Sequence, residues 1–323
     1  MALSLSSSRP VVSLITLLVL TTGSVLLALS LGSAGFSWPD DEASQRILLE
    51  LRLPRAIAAL VTGALLGLAG AVMQVLLRNP LADPYVLGVS GGASAFVLAG
   101  MLFGLAWLPT PLLAFSGALI SMAVVFILGR GPGPWSSLRM LLTGVVMAAG
   151  WGAIITLMLA LGPDRSLRGM LYWLMGDLSY ASLSAWWLLP LTALTALLAL
   201  RGRSLNVLTA GETQARLLGE NTNRRYLELY LIASLLTALA VSIAGTIGFV
   251  GLVVPHLMRL LLGADHRILL PASALFGGAF LLLADTLART ILSPRQLPVG
   301  VLTAIIGVVL FLLLLYRSGR SVR

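Results

Sequence analysis

Long apolar runs, broken at short intervals by arginine, proline and glycine, dominate this chain. They fall at roughly residues 11–32, 56–77, 86–108, 112–129, 138–161, 184–200, 226–247, 250–263, 268–292 and 298–316. Most approach the roughly 20 residues that an α-helix needs to cross a bilayer. The pattern predicts an all-α fold: a polytopic transmembrane bundle of about ten helices, built as a single domain over residues 1–323. The eighth run is too short to span alone at about 1.5 Å per residue. It is expected to be a partial or bent helix continuing from the glycine-rich end of the seventh. The first run exceeds the apolar core of a signal peptide and no A-x-A-like site follows it, so it reads as a retained span.

Composition sharpens this picture. The chain is 58% hydrophobic and only 10% charged, with mean hydropathy +0.99, more apolar than a soluble domain can bury. The absence of cysteine excludes disulfides, thiolate metal sites and cysteine nucleophiles. The net charge of +9 comes from arginine alone, since the chain contains no lysine. The arginines lie between apolar runs, so they mark topology and not nucleic-acid binding. With the N-terminus in the cytoplasm, 14 arginines fall inside and 7 outside. Both termini are therefore expected to be cytoplasmic, in a bacterial inner membrane.

Two polar stretches face opposite ways on that topology, 33–55 outside and 201–225 inside. In the second, Thr209 is placed to cap a short helix with Glu212 at the capping-box position. Leu208, Ala215, Leu217 and Leu218 give it an apolar side, and Gly219 is a plausible stop. Two readings stay open on these residues alone: a helix lying on the membrane surface, or an element on which a cytoplasmic partner docks.

Candidate chemistry is sparse. Without lysine there is no P-loop, so any ATP and Mg²⁺ must be bound by another chain. No catalytic, cofactor-binding or metal-ligating set is expected: His256 and His266 lack carboxylates at ligand spacing, and His256 reads as a helix-end residue. Asp285 lies four residues before Arg289, so the two share a helix face and can pair near its outer end. Asp285 is also the residue that an ion-coupled secondary carrier, the rival reading, would use. The near absence of other ionisable groups at bilayer depth argues against that carrier.

Two blocks carry most of the remaining information. In Val241–Arg259, Gly245, Gly248 and Gly251 recur every third residue and precede Pro255, which permits close helix approach and is expected to interrupt the helix. The other block runs from Arg52-Leu-Pro-Arg55 through Gly63, Gly67 and Gly70 to Arg78-Asn-Pro-Leu-Ala-Asp-Pro84 and Gly88-Val-Ser-Gly-Gly92. Its glycines form a small-residue packing face, and its Asn-Pro and Asp-Pro pairs enforce a rigid turn.

These strings resemble the FecCD/BtuC family, the permeases of bacterial ABC importers for iron-siderophores, haem and vitamin B12. Asp265–Pro271, Ala284–Arg289 and Gln296–Gly307 resemble it as well, so the likeness runs from about Leu51 to the C-terminus. The resemblance implies a homodimer in membrane lipid, two cytoplasmic ABC ATPase subunits below, and a periplasmic or lipoprotein substrate-binding protein above. It implies that residues 204–223 are coupling helices, with Gly211, Glu212, Ala215, Arg216, Leu218 and Gly219 meeting the ATPase. Arg52, Arg55 and Arg289 match arginines that receive the binding protein's carboxylates, a role that suits the guanidinium fork. Asn79, Leu81, Ser136 and Ser137 match constrictions at the cytoplasmic mouth. The fifth and tenth spans would line the pathway. The expected cargo is an iron(III)-siderophore or haem, with cobalamin as the alternative.

Overall fold

The structure is a computed structural model that describes residues 9–32, 35–36, 41–105, 107–131 and 135–318. Each of the ten apolar runs falls on a helix. In chain order the helices are α1 (Arg9–Ser30), α2 (Glu42–Arg46), α3 (Leu53–Leu76), α4 (Val89–Leu102), α5 (Thr110–Arg130), α6 (Ser137–Leu161) and α7 (Asp164–Leu174). They continue as α8 (Leu188–Leu200), α9 (Gly202–Thr209), α10 (Glu212–Leu217), α11 (Thr222–Ala244), α12 (Val250–Leu262), α13 (His266–Thr290) and α14 (Val299–Ser318). Six helical stretches among the described residues are long and apolar enough to cross a membrane; α8 and α9 pass the same test as a pair bent by 51°. The only strands among the described residues are the two-residue pieces Leu31–Gly32 and Gly35–Phe36, paired antiparallel.

Four local expectations are corrected. The stretch 33–55 is not simply polar connection: α2, capped by Asp41 through Ser44, continues through a π-helical turn at Ile47–Arg52 into α3. Thr209 does not cap the next helix. It is the last residue of α9, its hydroxyl donates to Asn206 O, and α10 starts after Gly211 at φ +117°. The seventh and eighth runs are not one bent helix, because residues 245–249 break the chain direction between α11 and α12, with Gly245 and Phe249 both at positive φ.

Pro255, for its part, does not end α12; it sits inside it. What it removes is the amide that would bond the carbonyl of Gly251. That carbonyl is directed at Gly70 of α3, where any Cβ would overlap it. The same device recurs up the interface. A Cβ on Gly67 would overlap the Ser273 carbonyl, and Gly63 and Gly277 each place a backbone oxygen where the other would carry a side chain. With no hydrophobic drive between helices in lipid, such backbone contact supplies the packing. It makes α3, packed against α11, α12 and α13, the buried axis of the molecule, with its whole run from Val61 to Leu76 enclosed. At about 1.5 Å per residue, the 24 residues of α3 exceed the roughly 30 Å hydrocarbon core.

The periphery is different. Along α6 only Met140 and Gly144 are buried, and Leu138, Leu142, Val146, Leu157 and Leu161 are bare. α14 likewise leaves Ile305, Val309 and Leu312 uncovered. α4 and α5 form a second close pair through Gly92 and Gly117, and Trp151 of α6 closes it by donating to Ser121 Oγ at 2.8 Å.

Replacing Gly70 with leucine is expected to cost about 3 kcal/mol or more, because the obstacle is backbone and cannot rotate away. Gly23→Leu on α1, where nothing lies within 4 Å, is expected to leave stability nearly unchanged. Thermal unfolding of both variants in detergent checks this.

Candidate functional site

The α3–α13 pair carries a distinct site at each end. At the end where α3 begins and α13 finishes, three arginines converge. Asp285 of α13, fully buried, accepts from Arg55 Nε (3.2 and 3.0 Å) and Nη2 (2.8 Å). Arg289 Nε lies 3.2 Å from Oδ2 of the same carboxylate. The spacing of Asp285 and Arg289 thus pairs them as expected, while the stronger partner, Arg55, is supplied by α3. Arg55 also donates to Gln296 Oε1 at 2.8 Å. Arg289 Nη2 reaches the Ala28 carbonyl and Arg52 Nη1 the Leu29 carbonyl, at 3.3 and 2.8 Å. These last two bonds cap the C-terminal end of α1, where cations oppose the helix dipole.

Above this cluster opens a cavity of about 1310 Å³. Its wall includes Arg52, Arg55, Arg289 and Gln296, and also Arg168, Tyr172 and Asp177. Arg168 lies over the Tyr172 ring at 5.7 Å and is exposed. The side chains of Arg55 and Arg289, by contrast, are only 11% and 8% exposed, and both engage Asp285. The cavity therefore has a cationic wall with two kinds of arginine: a buried pair fixed on Asp285, and an open one on α7. Sequence reasoning gave Arg168 no role; its spacing from Tyr172, on one face of α7, is the signal that was available.

At the opposite end, α9 and α10 form a small hairpin. Ala215 is buried, as is Leu208, so that part of the expected apolar side packs inward. Leu217 and Leu218 do not: they are 83% and 70% exposed. Glu212 bridges Arg216 at 2.5 Å and Arg78, at the end of α3, at 3.1 Å. Arg78 in turn donates to Tyr226 OH of α11, and Arg216 Nε donates to Thr222 Oγ1. Gly211 and Gly219 both hold positive φ, at +117° and +85°.

The two turns expected at the mouth lie together at this same end. Asn79 Oδ1 accepts from Leu81 N (2.9 Å) in an Asx turn, and Ser137 Oγ donates to the Leu76 carbonyl at 3.1 Å. Ser136 caps α6 through Arg139 N. Among the described residues no group of three or more His, Asp or Glu could hold a metal ion.

A membrane-embedded helical bundle with an arginine-walled cavity at one end and a bonded amphipathic hairpin at the other has the build of a permease subunit that works with other chains. Comparison with known proteins agrees. The pattern of the FecCD transport family matches residues 11–317, and the chain belongs to that family. It is 45% identical over 301 residues to YvrB of Bacillus subtilis, an ABC transporter permease that is itself uncharacterised, covering 90% of this chain and 85% of that one. It is 41% identical to the hemin transport permease HmuU of Yersinia pestis, over 94% of both chains. It is 44% identical to the vitamin B12 permease BtuC of Vibrio vulnificus, over 84% and 83%. A solved structure described as an inward-facing conformation of a metal-chelate type ABC transporter superposes with a TM-score of 0.84 at 32% identity, covering 94% of this chain and 98% of that one. The protein is thus a multi-pass ABC permease subunit, and ATP hydrolysis belongs to a separate chain.

Removing Asp285 would leave two buried guanidiniums unpaired. Asp285→Ala is expected to destabilise the protein by about 3–5 kcal/mol. Glu50→Gln, which breaks the exposed Arg46–Glu50 pair, is expected to change it by less than about 0.5 kcal/mol. Unfolding in detergent, monitored for both variants, tests the contrast.

Proposed function

We propose that this chain moves an iron chelate, an iron(III)-siderophore or haem, from periplasm to cytoplasm by alternating access, driven by ATP hydrolysis in a partner. The observation that carries this reading is that one helix pair, α3 and α13, joins both ends. Its hairpin end is bonded to α9 and α10, and its other end holds the arginine-walled cavity. Motion imposed on the hairpin then has a direct route to the cavity. The hemin permease, similar over nearly its whole length, favours an iron chelate. The B12 permease of comparable identity keeps cobalamin as the second reading. The ion-coupled carrier loses ground because Asp285, its required group, is held by two arginines near the end of α13.

The working unit on this reading is a homodimer in the bacterial inner membrane with both termini cytoplasmic. The uncovered apolar faces of α6 and α14 supply the subunit contact and the pathway wall. Two ABC ATPase subunits, which bind ATP and Mg²⁺, sit against the hairpin, where Gly211, Glu212, Ala215, Arg216, Leu218 and Gly219 form or shape the contact. Membership of a transport family, together with the hairpin's bonds to Arg78 and Asp265, favours docking over repose on lipid. A periplasmic or lipoprotein binding protein docks over the cavity. Arg52, Arg55 and Arg289 frame that surface, and Arg168 is its most open cation. Asn79, Leu81, Ser136 and Ser137 close the cytoplasmic mouth.

Gly219 has open space around it but a backbone angle that disfavours side chains. Gly219→Trp is expected to insert in the membrane normally, lower ATPase co-purification at least about tenfold and abolish uptake. Normal uptake by a correctly inserted variant removes Gly219 from the docking surface. The reading as a whole is tested by uptake into proteoliposomes, with iron-siderophore, haem and cobalamin offered in parallel. ATP-dependent accumulation of the first or second supports it; accumulation of cobalamin alone selects the second reading. Uptake that follows an ion gradient without ATP overturns both.

A further inference from the structure

Asn206 lies on the inner face of α9 and is half-buried against the start of α13. Its Nδ2 donates to Asp265 Oδ1 at 2.8 Å. Its Oδ1 accepts from the His266 backbone amide at 2.9 Å and lies 2.7 Å from His266 Nδ1. These contacts fix one another. Arg267, bonded to Asp265, holds that carboxyl well below the usual carboxylate range, so Asp265 only accepts. The amide nitrogen of Asn206 must face it, the amide oxygen must face the histidine, and His266 Nδ1 must carry the ring proton. Beside this, Gly202 sits against the backbone of His266 and Arg267, closely enough that a Cβ would meet Arg267 N at 2.6 Å.

We infer that Asn206 is a positioning residue that bolts α9 to α13, so that the two helices move as one body when the hairpin is displaced. A single amide satisfies three groups at the N-terminus of α13, two of them in the backbone-capping region. α8 and α9 meet at a 51° bend, so α9 is not stiffly continued by the span before it and needs a lateral tie to pass motion on. α13 then carries that motion to α3 through the Ser273–Gly67 and Gly277–Gly63 contacts. The inference rests on the importer reading for its transport consequence, but the bolt itself does not.

Asn206→Asp is the informative variant. It keeps the shape and the acceptor for His266, loses the donor, and sets a carboxylate against Asp265. Combining it with Asp265→Asn removes the carboxylate clash and lets an amide nitrogen at 265 donate to the carboxylate at 206, at the cost of the capping bond that Asp265 Oδ1 accepts from Arg267 N. The chain has no cysteine, so spin labels introduced by Arg203→Cys on α9 and Leu283→Cys on α13 are unique. In the detergent-purified chain the distance distribution between them is expected to broaden in Asn206→Asp and to narrow again in the combined variant. In proteoliposomes with the co-purified ATPase and binding protein, haem moved per ATP hydrolysed is expected to fall about tenfold in the single variant, with hydrolysis retained, and to recover in the combined one. An unchanged distance distribution overturns the bolt, as does failure of the combined variant to narrow it. Altered distances with an unchanged haem-to-ATP ratio overturn its role in coupling. Absence of ATP-driven uptake in the parent protein counts against the importer reading, and the distance measurement still decides the bolt.

Discussion

In hydrocarbon, apolar side chains gain nothing by leaving their solvent, so helices are held by how closely their backbones approach. Here α3 meets α13 and α12 through Gly63, Gly67 and Gly70, with carbonyl oxygens of Gly277, Ser273 and Gly251 occupying the places of missing side chains. Everything else is arranged around that contact. It buries α3 on nearly all sides, sets α13 at a fixed height beside it, and so determines that Asp285 meets Arg55 at one end. Pro255 belongs to the same design: by freeing the Gly251 carbonyl from its own helix it leaves an acceptor facing Gly70.

The ion pairs of this packed axis lie at its two ends. At one end a carboxylate gathers Arg55 and Arg289, and Arg52 and Arg289 finish α1. At the other, Glu212 and Asn206 tie the α9–α10 hairpin to α3 and α13. Between them the charges are few. A bundle that is apolar at mid-depth and bonded at both ends tilts as a body more readily than it deforms, because lipid-facing packing offers no alternative partners for bonds within the helices.

Much of this was legible in the sequence. Each of the ten apolar runs lands on a helix, and six of those helices are long enough to cross a bilayer, since a bilayer imposes one length scale. The glycine triplet of α3 and the Asp285–Arg289 spacing also read correctly, because helical periodicity is local. What failed was non-local or depended on a single backbone angle. Arg55 lies 230 positions from Asp285, so no spacing rule pairs them. Thr209 looks like a helix cap, but Gly211 at positive φ takes that place and lets α9 run on to Thr209. Leu217 and Leu218 were grouped with Leu208 and Ala215 as one apolar side, yet at the end of α10 they stand exposed while Ala215 of the same helix is buried. The break at 245–249 was hidden because glycine tolerates both continuation and reversal.

The burial of α3 also bears on how the chain is made. α3 is hydrophobic enough to enter the membrane as soon as it is synthesised, but its glycine face fits segments that come some two hundred residues later. At roughly 5–20 residues per second, the helix waits ten seconds or more in the bilayer with its contact surface open to lipid and to neighbouring nascent chains. Only when α11, α12 and α13 emerge does it acquire its permanent neighbours. Assembly of this protein is therefore a late event in its biogenesis, and its most deeply enclosed helix is among the first to arrive.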